Sequence, residues 1–308
     1  MTDPAISLDS FADLYPFSSQ YHSVVGNHQL HYLDEGSGEP IVMVHGNPTW
    51  SFFFRHLILA LRSQYRVVVP DHLGCGLSDK PQNYPYRLKN HIENLESLLE
   101  TLKFPQKITL VMHDWGGCIG MGYASKYPEK IGRLIFMNTA TFRFQHVKHF
   151  PKAILLNRIP GFGEFSIRVC NTFVKSATFM AMTHKSRMNR KIRAGFHAPY
   201  NSYENRIAVH RFVQDIPLDS SHPTYPVVEA IENALPQFNA TPKLFCWGWR
   251  DFCFNPSVLQ AWKHFYPEAE YEIYLDANHY LLEDAHERIV PRIDKFLQKY
   301  PLSRNPQI

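Results

Sequence analysis

The stretch Lys107 to Gly120, K-I-T-L-V-M-H-D-W-G-G-C-I-G, constrains this chain more than any other. Ile108, Leu110, Val111 and Met112 form a short, partly β-branched apolar run that predicts a buried strand. The chain then turns through His113-Asp114-Trp115-Gly116-Gly117 and continues as a predicted helix to about Tyr127. A sharp, glycine-bearing turn between strand and helix presents its central residue at the strand end, where a nucleophile can meet a ligand. That residue is Asp114. A serine alkoxide suits attack on a carbonyl, whereas a carboxylate can displace a leaving group at a saturated carbon and hold the product as an ester. Taken alone, Asp114 reads equally well as a helix N-cap, so the rest of the chain has to decide.

Strand and helix signals alternate on both sides of this turn. Tyr21 to Val25 and His28 to Leu33 read as a hairpin around Gly26-Asn27. Ile41 to Val44 is a predicted buried strand that empties into His45-Gly46-Asn47-Pro48-Thr49-Trp50, followed by a helix from Ser51 to Leu61. Arg66 to Val69 is the next strand, and Tyr86 to Leu102 has a helical period. Ile131 to Met137 ends in Asn138-Thr139-Ala140. Later come strand Lys243 to Trp247, helix Pro256 to Phe265, strand Tyr271 to Leu275 and a last helix from Leu281 to about Leu297. The fold class is therefore α/β: a mainly parallel, eight-stranded sheet with helices on both faces.

Between Phe142 and Ile216 the alternation stops, and the sequence predicts helices only, broken by Pro151, Pro160-Gly161 and Pro199. This divides the chain into a core of residues 1–141 and 217–308 and an inserted helical cap of residues 142–216. The cap is rich in phenylalanine (142, 144, 150, 162, 165, 173, 179, 196 and 212), expected partly to line an apolar chamber and partly to glue the cap to the core. The cap also holds thirteen Lys or Arg, all between Arg143 and Arg211, against the three acids Glu164, Glu204 and Asp215. Residues 301–308 read as a loose tail.

Ligands of such sheets sit at the carboxyl ends of the strands. Asn47, Asp114, Asp251 and His279 each follow a predicted strand by a few residues, so all are expected on one edge. Asp114 is the candidate nucleophile, and His279, oriented by Asp251, the candidate base or proton carrier. Asn47 offers an amide donor. Trp115 offers its backbone N–H to an oxyanion hole and its indole N–H to a leaving anion. Asp71, His72 and Ser78 read as loop structure, His113 as a packed neighbour, and Trp247 and Trp249 as packing residues.

The motifs H-G-N-P-T-W (45–50), P-D-H-L-G-C-G-L-S-D-K-P (70–81), H-D-W-G-G (113–117) and W-G-W-R-D (247–251) resemble the haloalkane dehalogenase group of α/β-hydrolases from about Leu14 to Leu297. The resemblance implies the α/β-hydrolase fold, an Asp nucleophile (Asp114), a His base (His279), an Asp acid (Asp251) and an anion-binding pair. One branch of that group takes a second anion donor from a cap Trp, but residues 116–246 contain none; another takes its acid from a Glu after the sixth strand, where Asn138 stands here. Asn47 plus Trp115 with acid Asp251 is similar to the third branch, which includes the β-lactone decarboxylases of long-chain olefin biosynthesis. Ala198-Pro199-Tyr200, residues 211–218 and Asn278-His279-Tyr280-Leu281-Leu282-Glu283-Asp284 also look like those decarboxylases, with Asn278 where a Gly is usual.

The leading expectation is decarboxylation of a cis-3-alkyl-4-alkyl β-lactone to a cis-olefin and CO2. Hydrolysis of haloalkanes comes second, and epoxide hydrolysis, which needs cap tyrosines such as Tyr200 or Tyr203 aimed at a ring oxygen, third. A reading from another class is a catalytically silent binding module of the same fold, against which the intact Asp–His–Asp set argues. No cofactor and no metal are implied. The partner expected is a hydrophobic small molecule. The net charge of +4 gives no sign of nucleic acid binding. The N-terminus has no signal-peptide pattern, and five cysteines without C-x-x-C spacing read as reduced thiols, so a cytoplasmic location is expected. The basic cap, for instance Lys185, Arg187, Arg190, Lys191 and Arg193, adds an expectation of peripheral contact with an anionic membrane or with other enzymes of an olefin pathway.

Overall fold

The computed structural model describes residues 6–143 and 150–302. Eight strands form one sheet in the order β1-β2-β4-β3-β5-β6-β7-β8. β1 (Ser19–Val24) and β2 (His28–Glu35) form the expected hairpin, with Gly26 and Asn27 both at positive φ in the turn. β2 also pairs antiparallel with β4 (Tyr65–Pro70). β4, β3 (Glu39–Val44), β5 (Ile108–His113), β6 (Ile131–Met137), β7 (Lys243–Gly248) and β8 (Glu270–Tyr274) run parallel.

The central strands are apolar throughout because both faces are covered. Val42, Val44, Leu110, Met112, Leu134 and Phe136 face one core, while Ile41, Met43, Val111, Ile135 and Met137 face the other, with a period of two. The first core is closed by α2 (Leu88–Leu102), α3 (Trp115–Lys126) and α10 (Pro256–Phe265); the second by α1 (Arg55–Leu61) and α11 (Leu281–Lys299). Residues 51–54, expected to begin α1, form a tighter 3-10 turn ahead of it.

Beyond β6 the chain forms α4 (Lys152–Leu156), the single turn α5 (Phe162–Glu164), α6 (Thr172–Met180), α7 (Arg190–His197) and α8 (Ile207–Gln214), with no strand among the described residues. Ile167, Val174, Tyr200, Val209 and Val213 give this insertion a small core of its own. Phe144 and residues 303–308 of the expected tail lie outside the described residues. One helix escapes the sequence analysis: α9 (Tyr225–Ala234), which opens on Tyr-Pro and buries Val228 and Ile231 in the first core. No described helix is long and apolar enough to cross a membrane.

Two buried acids at the start of α11 lock these parts together. Arg55 Nη1 and Nη2 donate to the Glu283 carboxylate at 2.5 and 2.6 Å, with both side chains almost wholly buried. Asp284, 1% exposed, accepts from the backbone N–H of Thr183 and His184 in the insertion and from Asn278 N in the core. The Tyr280 N–H donates to Ala181 O at 2.7 Å. Removing one member of a buried ion pair strands the other in a low-dielectric site. Glu283→Ala is therefore expected to cost about 3–5 kcal/mol, measured by urea unfolding. A loss no larger than that of an exposed-site control would show that water reaches Arg55.

Candidate active site

The turn after β5 places Asp114 at φ 53° and ψ −128°, a region that costs a non-glycine residue of order 1–3 kcal/mol and persists where neighbours over-determine it. Those neighbours have given up their side chains. A Cβ on Gly46 would lie 2.0 Å from Asp114 Oδ1, and one on Gly116 1.9 Å from Val44 O. Thr139 Oγ1 donates to Asp114 O at 2.5 Å, and Asp114 N donates to Asn138 O at 3.2 Å.

The Asp114 carboxylate is cradled from β3. Asn47 N donates to Oδ1 at 2.7 Å, and the Trp115 backbone N–H also bonds the carboxylate. His279 Nε2 stands 3.7 Å from Asp114 Oδ2, while its Nδ1–H donates to Asp251 Oδ2 at 2.8 Å. Asp251 is held in turn: its Oδ1 accepts from Cys253 N at 2.7 Å and from Phe254 N at 3.0 Å. Phe254 stacks on the His279 ring. The chain thus brings together all five residues expected at the carboxyl edge: Asn47, Asp114, Trp115, Asp251 and His279.

Burial, which disfavours charge, raises the Asp114 pKa above its usual 3.8, although His279 and the N–H groups of Asn47 and Trp115 pull the other way. For His279, burial lowers the pKa, but the Asp251 carboxylate and then Asp114 outweigh it, so the net shift is upward. Burial and the neighbouring His279 hold His113 well below the ordinary histidine value. His113 is packed against Phe53, and its Nε2–H donates to His279 O, fixing the loop rather than facing the cavity. Asn138, at the position of the alternative acid, joins the ends of β6 and β7: it accepts from Gly248 N and donates to Gly248 O. Asn278, in place of a usual glycine, is not at positive φ; its Oδ1 accepts from His279 N and its Nδ2 donates to Met180 O.

Above Asp114 and His279 is a cavity of about 180 Å³, walled by Phe142, Ile154, Phe173, Met180, Val213 and Phe252 among others, with no Lys or Arg among the described residues of its lining. Asn47 and Trp115 also line it. Asn47 Nδ2 spends one proton on Val209 O at 3.2 Å, and its buried Oδ1 has no hydrogen-bond partner. Trp115 packs against Phe212. Tyr200 and Tyr203 do not line the cavity: Tyr200 is buried and donates to Thr49 O, and Tyr203 donates to Glu164. The epoxide reading therefore lacks its electrophile. Residues 252–254 and Cys118, which also line the cavity, were not anticipated. Their signal was position: the former directly follow Asp251, and Cys118 lies one helical turn beyond Asp114.

The sheet, the strained turn and the insertion define a class: the chain belongs to the α/β-hydrolase fold family, whose family model matches residues 39–286. Within it, this chain is 45% identical to a cis-3-alkyl-4-alkyloxetan-2-one decarboxylase of Shewanella oneidensis, over 92% of this chain and 89% of that one. It is 40% identical to the protein of the same name from Xanthomonas campestris, over 94% and 98% of the two chains. Among solved structures, a mutant haloalkane dehalogenase of Agrobacterium tumefaciens superposes with a TM-score of 0.80 at 25% identity, covering 94% of this chain and 99% of that one.

A carboxyl group with a raised pKa stays neutral to a higher pH, and neutral Asp114 is no nucleophile. Activity is therefore lost as pH falls through that raised value, so the acid limb of kcat/KM should lie above pH 3.8. A pH–rate profile flat to below that value would remove Asp114 from the rate-determining chemistry.

Proposed function

We propose that this chain is a cis-3-alkyl-4-alkyloxetan-2-one decarboxylase, releasing a cis-olefin and CO2 from a β-lactone. The observation that carries this reading is a cradled Asp carboxylate, not a serine, at the floor of a mainly apolar cavity with no Lys or Arg among the described residues of its lining. The likeness to the two decarboxylases supports the choice of substrate.

Asp114 attacks the saturated ring carbon C4, and the C4–O bond breaks with its electron pair on the departing carboxylate. An aspartyl ester forms with inversion. The C3–carboxylate bond then breaks, its electrons form the C3=C4 double bond, and Asp114 leaves as carboxylate with CO2 released. Inversion followed by anti elimination carries a cis-lactone to a cis-olefin, and no water is consumed. The Asn47 amide and Trp115 indole are the donors for the carboxylate expelled in the first step. The His279–Asp251 pair places positive charge beside Asp114 as it leaves. A neutral substrate with two alkyl arms suits a lining of phenylalanine, methionine and aliphatic residues.

The same Asp114–His279–Asp251 arrangement also favours a second reading, haloalkane hydrolysis, because His279 is placed to activate water against an alkyl ester. Isotope separates the two. Turnover in 18O-water should leave Asp114 unlabelled if elimination resolves the ester, whereas hydrolysis puts 18O into its carboxylate. Offered a cis-3,4-dialkyl β-lactone and a bromoalkane side by side, the protein should yield olefin and CO2 from the first. Asp114→Ala should abolish this, and Asn47→Ala should lower kcat by about 100-fold or more. Alcohol and halide from the bromoalkane, with an untouched lactone, would overturn the proposal.

A further inference from the structure

Three of the insertion's phenylalanines neither line the cavity nor glue the insertion to the core. Phe162, Phe165 and Phe179 are 50%, 58% and 68% exposed, and Leu156, Ile159 and Val169 are about half exposed with them. Their spacing is not random. Phe162, Phe165 and Val169 recur at i, i+3 and i+7 along one helical segment, while Ile167 and Arg168 are buried. In α4, Ile154 lines the cavity while Leu155 and Leu156 face out; in α6, Phe173 and Ala177 line it while Phe179 faces out. Next to Phe179, Met180 does both: it lines the cavity and is half exposed. The outer apolar face thus runs onto the rim of the cavity.

The charges beside this face have one sign. From residue 150 to 193 there are nine Lys or Arg and a single acid, Glu164, whose carboxylate is already taken by Arg168 and Tyr203. Lys152 shares a helix side with Leu155 and Leu156, and Lys175 with Phe179; both lysines are exposed and neither has a carboxylate partner among the described residues. The Lys185 ammonium lies over the Phe179 ring. By contrast, much of the basic cluster picked out in the sequence is committed elsewhere: Arg187 pairs with Glu287, Lys191 with Asp13, and Arg193 bonds Met188 O.

We propose that this face docks on the surface of an anionic lipid bilayer, with Phe162, Phe165 and Phe179 inserted at the acyl boundary and Lys152 and Lys175 at the headgroups. Exposed aromatic and aliphatic side chains flanked by lysines, with no free carboxylate, are what an interfacial helix presents to such a surface. The single sign of the charge beside the apolar side chains matches the anionic headgroups of such a bilayer. Docking would set the rim at Met180 against the membrane, so a two-armed neutral substrate could pass from acyl phase to cavity without crossing water. Only that last consequence rests on the decarboxylase reading.

The test is cosedimentation of the full chain with vesicles of phosphatidylglycerol and phosphatidylethanolamine, against phosphatidylcholine vesicles. The wild type should bind the anionic vesicles at low ionic strength and release in about 0.5 M salt, where screening is short-ranged. Phe162→Ser/Phe165→Ser/Phe179→Ser should weaken partition at least about tenfold, and Lys152→Glu/Lys175→Glu should weaken it and flatten the salt dependence. Both variants should keep the wild-type Tm and turnover of a dispersed short-chain lactone, because the altered side chains are already in solvent. A wild type that ignores anionic vesicles, binding that survives both variants, or a wild-type dimer that the phenylalanine variant dissociates in place of vesicle binding would each overturn the proposal. Because binding is read without turnover, vesicle binding by a protein inert to lactone would count against the activity alone.

Discussion

The architecture depends on holding one carboxylate in a place that backbone geometry and dielectric both disfavour. Asp114 has a positive φ and is buried. Gly46 and Gly116 keep their space because any Cβ there would collide with Asp114 or with the backbone of β3. Asn47 N supplies a compensating dipole, and the β6 end supplies Thr139 and Asn138 to pin the turn. Three neighbouring parallel strands therefore end in residues chosen by one side chain. Strain of this kind is tolerated where the surroundings leave no alternative, and the sheet's central strands are buried on both faces.

Much of this was legible in the sequence because periodicity and punctuation coincided. The strand at 131–137 and the helix at 256–265 fall where the apolar pattern puts them, and Asp114, Asp251 and His279 were reached by counting from strand ends. What periodicity could not supply was the partner of each polar group. Asn138 reads as a vacant acid position and is in fact a bracket between two strands. Glu283 and Asp284 look like an ordinary acidic first turn of a helix, yet both are buried, one against an arginine and the other against three backbone amides. α9 went unseen although Val227, Val228, Ile231 and Ala234 have a helical spacing and a proline sits in its first turn. Trp249, expected to pack, is more than a third exposed. These outcomes are decided by tertiary neighbours far away in sequence.

The insertion also divides its chemistry by direction. Among the described residues its inner surface is uncharged and mainly apolar, and its positive charge lies outside or is spent on the insertion's own carbonyls, as with Arg158 on Val213 O and Gln214 O and Arg206 on Tyr200 O. An arginine that terminates helices in this way works as a brace. Part of the charge excess in the sequence is thus internal carpentry, while Lys152, Lys175, Arg190 and Arg211 face solvent without a carboxylate partner among the described residues.

Asp284 has a mechanical consequence. By accepting from Thr183 and His184 on one side and Asn278 on the other, it welds the end of α6 to the loop that carries His279. Opening that seam would strip a buried carboxylate of its donors and tear away the Tyr280–Ala181 bond in the same motion. The roof therefore cannot lift as a hinged flap on this side. Any widening of the chamber has to come from elsewhere in its wall, so that the histidine stays in register with its carboxylates throughout.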